Sequence, residues 1–152
     1  MHRSISLAVV AVAGLGLLVM LIVFAREYGN APAVVATHFG PSGQPNAWGP
    51  KSTLVIFPVI GVVMFGIATV IAVFGLPARP SPVPPVLPVL ASLVFAEVIW
   101  MLVFAEMSTF DVALGRTTGL SPAFFVGLCA VMLTAVSVVI LTVITAARST
   151  RG

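Results

Sequence analysis

Four long apolar runs decide what this chain can fold into: Ile5–Ala25, Thr53–Phe74, Pro85–Phe104 and Pro122–Ala147. A helix rises about 1.5 Å per residue and the hydrocarbon core of a bilayer is about 30 Å thick, so about 20 residues cross it. Each run meets or nearly meets that length. Lipid offers no partner for an unpaired N–H or C=O, so a spanning segment of this kind closes its hydrogen bonds within itself. The many Val and Ile residues therefore do not argue for strands. The predicted fold class is all-α, a polytopic membrane protein with four transmembrane helices.

Composition agrees. A soluble domain carries about 25% charged residues, whereas this chain of 152 residues is 7% charged and 60% hydrophobic. Its net charge of +3 comes from few side chains. With no Lys/Arg cluster and no aromatic platform, nucleic acid is not an expected partner. The single cysteine, Cys129, lies in the last run and reads as a packing residue. The first run is too long for the apolar core of a signal peptide, and no Ala-x-Ala site closes it just before Arg26, which predicts an uncleaved span.

Two halves are expected: residues 1–74, with an outer loop over 26–52, and residues 75–152, a second transmembrane hairpin with a basic tail. Arg3, Arg79, Arg148 and Arg151 fall on one side, Arg26, Lys51 and Arg116 on the other. By the positive-inside rule this bias places both termini in the cytoplasm and the 26–52 loop outside. The connection Gly75–Pro85 is rich in proline and predicts a stiff extended turn. Pro58 is a candidate kink in the second span. Gly14, Gly16, Ala68 and Ala72 are candidates for close helix contacts. Thr134, Ser137, Thr142 and Thr145 are expected to bond their own helix.

The outer loop carries the polar island ATHFGPSGQPNAWGPK, Ala36–Lys51. Its Gly and Pro content opposes a helix or a long strand and predicts a compact cap of successive turns. Phe39 and Trp48 read as interface anchors. His38 is expected to hydrogen-bond within the loop. One histidine does not define a metal site, although Glu27, Glu106 and Asp111 lie on the same side, so metal binding stays open. Lys51 reads either as a snorkelling lysine or as the partner of an acidic group across the outer face.

The third run holds Glu97 and Glu106. Nine residues apart on a helix, they point to nearly opposite faces, which is no arrangement for joint acid–base chemistry. Glu106 is expected at the outer interface. Glu97 lies deeper and is the intramembrane polar candidate, either hydrogen-bonded to a neighbouring helix or handling a ligand, ion or proton. In the connection Glu106–Pro122, Asp111 and Arg116 can pair locally. Ser121 followed by Pro122 reads as the start of the fourth helix.

The island resembles a family known as domain of unknown function 1648, found at the N-terminus of SdpI-type immunity proteins. The matching residues are Thr37, His38 and Phe39, then Gly43 and Pro45, then Trp48, Gly49 and Lys51. The likeness covers roughly the first half of the chain. Ala36, Gly40 and Asn46 depart from the family pattern, which has proline, a polar residue and commonly aspartate there. The resemblance implies a bacterial inner or cell membrane and recognition of an extracytoplasmic peptide toxin, with a link to signalling.

The expected function is non-enzymatic sensing or immunity through the outer loop. The alternatives are a small ion- or proton-coupled transport module using Glu97, or a structural subunit of a membrane complex. No cofactor is expected. The expected partners are membrane lipid and an extracytoplasmic peptide or membrane protein, with homo-oligomerisation open.

Overall fold

The computed structural model describes residues 2–74 and 86–149. Four long helices dominate: α1 His2–Glu27, α2 Ile56–Phe74, α3 Leu87–Ala113 and α4 Pro122–Ser149. All four contain stretches long and apolar enough to cross a membrane, so the chain is a polytopic membrane protein. The Gly75–Pro85 turn, Arg79 and Arg151 lie outside the described residues, as do the side chains of Arg3 and Arg148.

Helix α3 is the axis of the bundle and packs against α1, α2 and α4; α1 and α2 also pack on each other. Small residues let these helices approach. Val10 of α1 packs with Ala68 and Ala72 of α2, and Ala13 of α1 packs with Ala96 and Ile99 of α3. A β-carbon at Gly16 would stand 3.1 Å from Ile99 Cγ2, so glycine sets the spacing of that seam. The Trp100 indole N–H donates to the Val12 carbonyl across the same seam, at 3.2 Å.

Pro58 falls in the first turn of α2, just after a 3-10 turn over Lys51–Val55. Helix-start amides have no intrahelical partner there, so its missing N–H costs little, and Pro58 marks a helix start. Ser137, Thr142 and Thr145 bond carbonyls of their own helix as expected. Thr134 instead reaches α3.

Two expectations are corrected. The polar island is a β-hairpin, β1 Val34–Phe39 and β2 Pro45–Pro50, pairing antiparallel from Val34↔Pro50 to Phe39↔Pro45. Val35 and Ala36 of β1 are buried; Val35 joins Ala31, Leu54 and Phe110 in an outer core beneath the hairpin. That burial, together with the β-branched Val34, Val35 and Thr37, outweighs the Gly and Pro punctuation. The prolines sit at the two ends of β2, on the outer strand, where they leave few ladder bonds open.

Second, α3 does not stop near Phe104 but runs to Ala113. Its last turns carry polar residues, yet Glu106, Ser108, Thr109 and Phe110 are buried against the rest of the outer core. Tertiary packing continues the helix past the end of its apolar run.

Candidate functional site

The hairpin roofs a groove. A cavity of about 510 Å³ lies between β1 and the outer ends of α2, α3 and α4. Thr37, His38 and Phe39 line it from above, Phe57 from α2, Thr109 from α3 and Phe125 from α4. Four elements thus bring together side chains that lie far apart in sequence. The walls are largely apolar, with a few polar groups near the roof, which is the usual make-up of a ligand pocket.

The His38 ring N–H at Nδ1 donates to the Asn46 side-chain oxygen across the hairpin. An amide oxygen only accepts, so this bond puts a proton on Nδ1. The expected hydrogen bond within the loop is therefore present, and its partner is one of the residues that departs from the family pattern.

Gly43 holds the hairpin tip in place. Its φ of 77° is a conformation that side-chain-bearing residues rarely adopt. Its carbonyl accepts from the Leu120 N–H at 2.9 Å, which joins the tip to the α3–α4 connection. A β-carbon at Gly119 would stand 2.4 Å from the same carbonyl, and one at Gly43 would press on the Phe125 ring at 3.2 Å. Next to this junction, Ser108 Oγ accepts from the Ser121 N–H at 3.0 Å. Helix α4 begins directly after Ser121.

The other motif residues have structural positions. Pro45 pairs with Phe39 at the tip end of the ladder. Gly49 leaves room for Thr37, whose Cγ2 would lie 2.9 Å from a β-carbon there. Trp48 is exposed on β2, while Phe39 lines the groove. Of the two expected anchors, only Trp48 has an outward position.

Lys51 does not pair with an acidic group across the outer face. Its Nζ donates to the carbonyls of Tyr28, at 3.2 Å, and Ala31, at 3.4 Å, and lies 4.9 Å from the centre of the Tyr28 ring. These carbonyls directly follow α1, where a helix terminus favours a cation. The relevant dipole is that of α1, brought beside Lys51 by the hairpin, and not that of α2.

Arg116 bridges two acids, Glu27 Oε2 at 3.1 Å and Asp111 Oδ1 at 3.3 Å. The hydrogen bond to Glu27 first, and that to Asp111 second, push its guanidinium above its already high ordinary value. The local pair with Asp111 is present, and the link to the end of α1 was not legible from spacing.

The two glutamates of α3 face apart. Thr134 Oγ1 of α4 donates to Glu97 Oε1 at 2.9 Å, while Glu97 Oε2 is buried without a partner among the described residues. Glu106 is fully buried, and neither of its oxygens has a hydrogen-bond partner among the described residues. Its spacing from Ile99, Val103 and Phe110 places it on the α1-facing stripe of α3. The expectation that Glu106 sits at the outer interface is therefore corrected: packing by the hairpin and by the end of α1 covers that level of the helix. Among the described residues, no group of three or more His, Cys, Asp or Glu is placed to hold a metal.

Thr109, Leu120, Phe124 and Phe125 belong to the groove but carry no signal in the sequence. The two phenylalanines read as part of an apolar span, and Leu120 as loop.

Fold and groove together define a four-helix membrane protein with a hairpin-capped cavity at one end. Its N-terminal region, residues 15–62, matches the family described as domain of unknown function (DUF1648). The matched stretch runs from the middle of α1 through the hairpin into the start of α2, narrower than the half chain that the motif suggested. No curated protein and no solved structure matches the chain.

Proposed function

We propose that this protein is a non-enzymatic recognition protein, of sensing or immunity type, that binds apolar side chains of an extracytoplasmic peptide in the groove beneath its hairpin. The observation that carries the reading is the groove itself: the island segment Ala36–Pro41, which resembles the immunity-protein segment, forms its roof. The floor and walls are apolar and the hairpin is pinned at its tip, so the cavity is preformed. Preformed apolar pockets bind without the entropic cost of ordering a loop.

Phe125→Asp places a charge in the groove and is expected to weaken binding of an apolar peptide, or to lower protection in cells, by at least about tenfold. His38→Ala, which removes a roof contact and the bond to Asn46, is expected to weaken it less. Unchanged binding in both variants, with insertion intact, would sink the groove as the site.

The second reading is proton- or ion-coupled transport through Glu97. The observation favouring it is the buried, unpartnered Oε2 of Glu97 beside the α4 contact. Proton or solute flux in proteoliposomes, abolished by Glu97→Gln, is its signature; a stable, inserted protein without flux rules against it.

A further inference from the structure

A second cavity, of about 310 Å³, adjoins the groove. It lies between the hairpin tip and the α3–α4 connection, and polar side chains make up a larger share of its lining than in the groove. Gln44, Ser108, Asp111, Thr117 and Ser121 line it. The two spaces meet at the tip junction: Leu120 lines both, and Gly43, which lines the second, abuts Phe125 in the first.

The charge of this cleft has a definite sign. Asp111 lines it and Arg116 does not. Arg116 is drawn toward Glu27 and Asp111, one cation between two acids. It contacts only Oδ1 of Asp111, and Oδ2 holds no hydrogen bond to the described residues. The cleft thus offers a carboxylate oxygen, an amide and several hydroxyls, but no lysine or arginine. The groove has no lysine or arginine either. A phosphate-bearing lipid headgroup would find no such cation to pair with in either space. A protonated amine would find an acceptor in each direction.

Resting on the groove reading above, we propose that the ligand is a cationic amphipathic peptide. An apolar side chain enters the groove beneath β1, and a neighbouring ammonium group docks against Asp111 in the adjoining cleft. Leu120 forms the sill between the two. Charge complementarity at a rim position of this kind chiefly sets selectivity among peptides of equal apolar content.

The test uses the full chain in phosphatidylcholine nanodiscs, with empty discs subtracted. Three fluorescein-tagged octapeptides serve as probes, alternating Leu with Lys, Ser or Glu, and binding is read by anisotropy. The Leu/Lys peptide is expected to bind about tenfold more tightly than Leu/Ser, with Leu/Glu weakest. Asp111→Asn is expected to bring Leu/Lys down to the Leu/Ser level while leaving Leu/Ser unchanged. Arg116→Gln removes a competing cation, and is expected to tighten Leu/Lys by about threefold to fivefold. A merely structural role for the ion pairs would weaken all three peptides in both variants, and that result overturns the proposal. So does equal binding of Leu/Lys and Leu/Ser by the unaltered protein, although Phe125→Asp would still abolish both and the groove reading would stand. If no peptide binds above empty discs, the groove reading itself fails, and this inference with it.

Discussion

Glu106 is the residue at greatest odds with its surroundings. A buried polar group without a partner costs about 1–3 kcal/mol relative to a well-packed apolar one, and both oxygens of Glu106 are in that position. Glu106→Leu is therefore expected to raise the melting temperature in detergent, corresponding to about 1–3 kcal/mol. A lower melting temperature would mean that the carboxyl holds its site together through a bond absent from this structure. Lys51 shows the opposite case, a charge whose partners are all in place but are carbonyls. The sequence placed both residues at the outer end of the bundle and misjudged both environments. An interfacial glutamate and a buried one look alike in a sequence. The difference is made by the hairpin and the end of α1, which lie over that turn of α3 only after folding.

At the level of elements, the hairpin and the α3–α4 connection depend on one another. The left-handed Gly43 and the close approach of Gly119 make their junction intolerant of any side chain. Gly119→Ala is expected to displace the Leu120 N–H from the Gly43 carbonyl. The readout is faster amide exchange at Leu120 and across the turn Gly40–Gln44, with the helices unaffected. Unchanged exchange there would mean that the junction does not hold the tip. The spans were legible because lipid imposes a length and a composition that few other folds share. The hairpin was not, because its strands are short, one is bounded by prolines, and its stability comes from Val35 meeting Leu54 and Phe110, residues distant in sequence. The motif from Thr37 to Lys51 marked the right segment without revealing its geometry.

Across the whole molecule the helices are held unequally. Helices α1, α2 and α3 form a mutually packed set, whereas α3 is the one helix on which α4 packs extensively, and none of the described side chains of α4 is buried. Its polar attachments are Thr134 to Glu97 within the bundle and the Ser108–Ser121 and Gly43–Leu120 contacts at its outer end. Thr134→Val keeps the shape of the side chain and removes the only one of these attachments that lies within the bundle. It is expected to cost about 0.5–2 kcal/mol and to increase amide exchange along α4 before any change in α1. Equal protection of α4 and α1 in the variant would refute the unequal packing.

Packed mainly on α3, α4 is also the wall of the groove that carries Phe125. Whatever fills the groove must press on the helix with the least packing around it. A fulcrum near Thr134 would turn a small outward push at Phe125 into a swing of the opposite sign at the far end of α4. Occupancy on one side of the membrane would then be legible as a displacement on the other.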